Sequence, residues 1–285
     1  MARVRPFNVT LVHPAGYVHA LALAEIVEYL HHMLGACGFA SRATVNEIAL
    51  DAHNIVVGAH LLTAADAAGL PADTIVFNTE QLADHAGWHL ASGDYRRVLD
   101  RFHVWDYSLA NLPLLGHDRA AFIPFRHCAG LVRPAAPAPP GTALVFYGVI
   151  TPHRSHLLDA LMVAGVPLAF LFGIYGAERD RIMLGARAVL NLHKQAQNLF
   201  EPVRCFYPLI NGVPVISEDV VGDPTADSFR DAMFMVPPAR FVEDVVALLA
   251  DPVALGARPP RFRARTAELE LRAAVLQYLH TTARR

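Results

Sequence analysis

The residues best suited to chemistry lie between Asn191 and Asp219, NLHKQAQNLFEPVRCFYPLINGVPVISED. A buried strand, Ala188–Leu192, runs into a polar loop with His193, Lys194, Gln195 and Asn198. A helix is expected from about Phe200 to Asn211-Gly212, with a second buried strand, Val213–Ser217, behind it. A loop feeding a helix start offers unpaired N–H groups and a favourable dipole to an anion, and Lys194 adds a mobile positive charge. Glu201 and Arg204 fall one turn apart on one face. Glu201 can accept charge-assisted hydrogen bonds from both hydroxyls of a ribose. Arg204 either neutralises a diphosphate or pairs with Glu201 across the (i, i+3) spacing. A nucleotide sugar presents both groups; the plain alternative for Glu201 is a first-turn carboxylate answering the helix dipole.

The segment GVITPHR, Gly148–Arg154, repeats this arrangement. Gly148 permits close backbone approach, Pro152 suits a first helical turn, and Arg154 can reach a phosphate. A tight turn explains the glycine and proline equally well, so Arg154 carries the expectation. The fifteen histidines are scattered. His85 and His89 have helical metal-pair spacing, but Gly87 intervenes and no HExxH occurs. His31 and His32 point to different helix faces. No metal site is expected.

Positioning these groups requires strands alternating with helices. Strand-like runs occur at Asn8–His13, Asn54–Ala59, Thr74–Asn78, Val104–Tyr107 and Ala121–Pro124, and a helix from about Tyr17 to Leu34 follows the first, ended by Gly35. Arg133–Thr142, RPAAPAPPGT, has four prolines in ten residues and reads as a stiff linker. A second series follows: strand Ala143–Gly148, helix Thr151–Ala164, strand Val166–Phe172, helix Glu178–Gly185, the unit described first, strand Phe234–Val236, helix Val242–Ala250, and a long helix near Thr266–Thr281. Such alternation predicts doubly wound parallel sheets. The expected division is 1–132, a linker at 133–142, a second Rossmann-like domain at 143–262, and a C-terminal helix at 263–285.

With 285 residues, two domains are expected. Hydrophobic content of 54% and charged content of 18% exclude a disordered chain, and a net charge of −2 argues against general capture of nucleic acid. Cys37, Cys128 and Cys205 are widely spaced, so neither a disulfide framework nor a CxxC metal site follows. The first residues lack the apolar stretch of a signal peptide, and no run reaches the ~20 apolar residues of a membrane span. The expectation is a cytoplasmic protein. Its tail, Arg258–Arg285, holds seven arginines and two glutamates. It reads as a solvated helix face, or as a basic surface for peripheral contact with anionic lipid or a phosphate-bearing acceptor.

Four blocks, VFNTEQL (Val76–Leu82), VWDYSLAN (Val104–Asn111), FYGVITPHRSHLLDAL (Phe146–Leu161) and ARAVLNLHKQAQNLFEPVRCFYPLINGVPVISE (Ala186–Glu218), cover about a quarter of the chain. In this order they resemble GT-B glycosyltransferases of the bacterial polysaccharide-biosynthesis type. The resemblance implies an α/β protein of two Rossmann-like domains facing a cleft. It also implies sugar transfer from a nucleotide-sugar donor to an acceptor hydroxyl in that cleft, with no cofactor and no metal needed for chemistry. The second domain would hold the donor through Gly148, Arg154, His193, Lys194, Asn198, Glu201 and Arg204, and the first would hold an unidentified acceptor. There His19, near a helix start that favours its neutral form, is a candidate general base, and Glu80 is the alternative. Asp106 and Ser108, ending another strand, fit helix capping equally well. One departure is visible. Similar sequences often read E-x2-R-x2-E, and Tyr207 stands where the second glutamate belongs. A non-catalytic module of the same fold, binding a sugar nucleotide or supporting a partner enzyme, and a nucleotide-sugar epimerase are the alternatives.

Overall fold

The computed structural model describes residues 5–82, 93–134, 144–195 and 199–283. His85, His89, Asn198 and most of the proline-rich stretch lie outside them. The chain forms two compact units, Met1–Gly130 with Thr266–Arg285, and Leu131–Arg265.

The first unit is built on six parallel strands: β1 Phe7–Leu11, β2 Ser41–Val45, β3 His53–Val57, β4 Ile75–Asn78, β5 His103–Asp106 and β6 Ala120–Phe122, ordered β2-β1-β3-β4-β5-β6. β1, β3, β4 and β5 are buried along their whole lengths, as parallel strands covered on both faces must be. β2 was not expected from sequence. It is an edge strand, largely exposed, and SRATV carries no buried pattern. The helix expected from Tyr17 begins as a 3-10 segment, Val18–Leu23, before the α-helix Ala24–Ala36.

The C-terminal helix, Glu268–Thr282, returns to this first unit. Leu271, Ala274, Val275 and Tyr278 are buried at helical spacing, packing toward Ala24–Ala36 and β6. The Tyr278 hydroxyl donates to the Asp73 carbonyl at 2.7 Å and lies 2.9 Å from His53 Nδ1.

The second unit holds five parallel strands, β7 Leu144–Tyr147, β8 Leu168–Leu171, β9 Ala188–Asn191, β10 Val215–Glu218 and β11 Phe234–Val236, ordered β11-β10-β9-β7-β8. Leu144, Phe146, Leu190 and Ile216 from the strands pack with Leu157 and Leu161 of helix Pro152–Val163 and with Val245 of helix Phe241–Ala250. From β7 the chain goes one way to β8 and the other way to β9, so the order reverses between β7 and β9. In an open parallel sheet ligands bind at the carboxyl ends flanking such a reversal.

Two local expectations are corrected. The single helix from Phe200 to Asn211 is instead a 3-10 turn, Pro202–Arg204, followed by a short α-helix, Phe206–Ile210. Pro202 and Pro208 lack the N–H groups that a continuous helix would need. The basic tail is also less free than its composition suggests. Arg258 donates to the Arg230 carbonyl at 3.0 Å, Arg263 to Ile210 at 2.9 Å, and Arg265 to Ser228 and Asp231. No helix among the described residues is long and apolar enough to cross a membrane.

Candidate functional site

The loops after β7 and β9 meet at the reversal point. Thr151 caps helix Pro152–Val163, accepting from the Arg154 N–H at 3.3 Å, and its hydroxyl donates to the Lys194 carbonyl at 2.9 Å. Arg154 ties the two loops together. Its Nε donates to the carbonyls of Leu192 and His193 at 3.0 and 3.2 Å, and Nη1 donates to Val149 at 2.8 Å. Nη2 makes no hydrogen bond and stands 3.5 Å from Glu201 Oε2. A guanidinium buried this completely (1% exposed) loses hydration. Burial, with Arg204 nearby, pulls its pKa down to about 10, so it stays charged at neutral pH.

Glu201 is no helix residue; it precedes the 3-10 turn and bridges two cations. Arg204 Nε lies 3.2 Å from its Oε2, and Arg204 Nη1 donates to the Tyr147 carbonyl at 2.6 Å. The pairing alternative for Arg204 is therefore the one seen, with the guanidinium resting on the end of β7. Gly148 follows at φ +140°. Lys194 is exposed.

Sequence reasoning missed Glu218 and His153. The Glu218 carboxylate, at the end of β10, accepts from the His193 N–H at 2.6 Å and faces His153 Nε2 at 2.7 Å. The signal was present in VISED, an acid closing a buried strand, but the strand was expected to end at Ser217. His193 itself is buried, its Nε2 has no hydrogen-bond partner, and burial lowers its pKa. The cluster thus holds two buried nitrogens, Arg154 Nη2 and His193 Nε2, without hydrogen-bond partners. Buried polar groups are ordinarily satisfied, so these two nitrogens stand out.

Tyr207 belongs to another cluster. Its hydroxyl donates to Asp180 at 2.7 Å and accepts from Arg133 Nε at 3.0 Å, while Arg179 stacks 4.8 Å from the ring centroid. Burial and the Asp180 carboxylate raise its pKa.

In the first unit the sequence-selected residues fall on different loops. His19 lies half-buried in the 3-10 segment after β1, edge-on to Tyr17 at 5.6 Å. Glu80 follows β4, its carboxylate 3.2 Å from the Thr79 hydroxyl and 3.3 Å from His60 Nδ1. His60, after β3, was not foreseen; burial pulls its pKa down to about 4. Asn78 and Asn111 fix the Glu80 backbone and donate to Asp106, which also accepts from the Ser108 N–H. Asp106 is wholly buried, and its pKa is pushed up to about 7. It braces the ends of β4 and β5 and caps no helix.

Comparison of the whole chain with solved structures places this architecture. HepE of Anabaena, crystallised with UDP and glucose, superposes over 95% of this chain and 99% of its own with a TM-score of 0.59 at 11% identity. WaaG, a glycosyltransferase of lipopolysaccharide biosynthesis, gives 0.57 over 95% and 99% at 11% identity. AviGT4, a glycosyltransferase of avilamycin A biosynthesis, gives 0.55 over 98% of both chains at 14% identity. The chain has the GT-B fold. No family model matches the sequence. Two uncharacterized proteins of Acanthamoeba polyphaga mimivirus are similar: L140, 24% identical over 62% of this chain, and L137, 27% identical over 53%. The chain's match spans 59% of the length of L140 and 21% of L137. In GT-B terms the candidate site lies in the second Rossmann-like unit.

Proposed function

We propose that this chain is a glycosyltransferase that takes a sugar from a nucleoside-diphosphate donor held by its second unit. The observation that carries this reading is the pair of buried nitrogens without hydrogen-bond partners, Arg154 Nη2 and His193 Nε2, at the β7/β9 reversal. A diphosphate supplies acceptors to both, and Arg154, Arg204 and the first turn of helix Pro152–Val163 offset its charge. Glu201, with one oxygen turned to the two arginines, would take the ribose hydroxyls with the other. Lys194, and Asn198 four residues on in the sequence, would complete phosphate contacts. The UDP bound by HepE, a protein of the same fold, makes UDP the first donor nucleotide to try.

In the reaction the bond between the sugar C1 and the β-phosphate oxygen breaks. The departing diphosphate gains a charge that the arginines stabilise more strongly than in the bound donor, which is what lowers a barrier. An acceptor hydroxyl on the first unit must lose its proton. Glu80, steadied by Thr79 and His60, is the better-held candidate base; His19 is the other. The test is calorimetric titration with UDP, GDP, TDP and CMP. Micromolar binding of one nucleotide is expected, and no binding of any overturns the reading.

One observation favours a second reading, a binding module without turnover. Where similar sequences carry a carboxylate, Tyr207 is committed to Asp180 and Arg133. Nucleotide binding with no release of nucleotide from any donor sugar, over a broad acceptor panel, would select it.

A further inference from the structure

We propose that His153, held by the buried carboxylate of Glu218, is the proton donor to the departing diphosphate; this rests on the donor-site reading above. The Glu218 side chain is 1% exposed and that of His153 23%. One Glu218 oxygen takes the His193 N–H, and the other takes His153 Nε2. An ionised carboxylate only accepts hydrogen bonds, so Nε2 carries a hydrogen whatever the charge of the ring. Nδ1 is therefore the nitrogen that gains and loses the proton.

The placement suits that task. His153 is the second residue of helix Pro152–Val163 and precedes Arg154 in it. Arg154 Nη2 and His193 Nε2, buried without hydrogen-bond partners, belong to the same cluster. Its charged and titratable members are Glu218 from β10, His193 from the loop after β9, Arg154 from the same helix, and Glu201 and Arg204 from the 3-10 turn. A bound diphosphate adds the deciding negative charge and draws a proton onto Nδ1.

The transfer step then balances. The C1–O bond breaks with its electron pair left on the β-phosphate oxygen. The acceptor oxygen forms the new bond to C1 and releases its proton to the first unit's base. His153 passes the Nδ1 proton to the β-phosphate and is recharged from water.

The test is UDP titration at pH 8 in two buffers of different ionisation enthalpy. UDP is fully ionised there, so proton uptake reports on the protein. Wild type should take up close to one proton per UDP, and its affinity should fall about tenfold per pH unit above the histidine range. His153→Gln, whose amide still donates to Glu218, should bind UDP without uptake and with a flat pH profile. His153→Lys, a fixed cation, should restore affinity above pH 8 without uptake. Equal uptake in wild type and both variants removes His153 and leaves the donor site standing. Failure of wild type to bind any nucleotide overturns both.

Discussion

A Cβ built on Gly148 would overlap Arg204 Nη1 and stand 3.1 Å from its Cζ. The same Nη1 donates to the Tyr147 carbonyl at 2.6 Å. The guanidinium therefore lies across the backbone at the end of β7, and only a residue without a side chain lets it do so. Gly148 also has φ +140°, a conformation L side chains avoid. Its sequence-level role was close approach to phosphate; its closest partner is an arginine.

Gly148→Ala should accordingly displace Arg204 and strain the turn, at about 1–3 kcal/mol. Thermal unfolding should show the loss of stability. Calorimetry should show weakened UDP binding, because Arg204 no longer steadies Glu201. An alanine variant with unchanged stability and affinity would remove the contact from the argument.

Glu201→Gln separates ribose recognition from phosphate recognition. If the free oxygen of Glu201 takes ribose hydroxyls, UDP affinity should fall about tenfold or more, the worth of a charge-assisted hydrogen bond. Binding of pyrophosphate, which has no ribose, should be unchanged or slightly tighter, because two arginines lose a competing carboxylate. Equal losses for both ligands would assign Glu201 to holding Arg154 and Arg204 alone.

The parallel sheets were legible because buried parallel strands carry apolar runs such as AVL in β9 and IVV in β3. β2 was not, since an exposed edge strand has no core face to reveal it. The loop residues of the site were legible as polar groups at strand ends. Their partners were not. Glu218 is brought beside His153 and His193 by sheet order, 65 and 25 residues away along the chain, and no local pattern encodes that meeting. Pro202 and Pro208 carry the signal of the broken helix: Pro202 sets Glu201 before the 3-10 turn rather than on a helix.

Tyr207 tests whether the missing second carboxylate matters. Tyr207→Phe removes hydrogen bonds to Asp180 and Arg133 and should cost about 1–2 kcal/mol of stability with UDP affinity unchanged. Tyr207→Glu would turn a carboxylate toward the Asp180 carboxylate that the tyrosine hydroxyl now meets. Like charges so close disfavour the fold, so this variant should be less stable than Tyr207→Phe and gain no donor binding. A gain in UDP affinity would put Tyr207 in the donor site after all.

His60 provides a pH signature for the first unit. Burial holds its pKa at about 4, against about 6.5 in an unfolded chain. Between those values the unfolded chain binds a proton that the folded one does not, so stability rises with pH. The contribution is fully present above about 6.5 and lost as pH falls toward 4, amounting to at most about 3 kcal/mol. Asp106, with its pKa pushed up to about 7, works in the opposite direction but is common to wild type and variant. Urea unfolding followed by Trp105 fluorescence, at pH 7.5, 6 and 4.5, should therefore show His60→Gln losing its disadvantage as the pH falls. Parallel pH curves for the two proteins would mean that His60 is not buried as a neutral base beside Glu80.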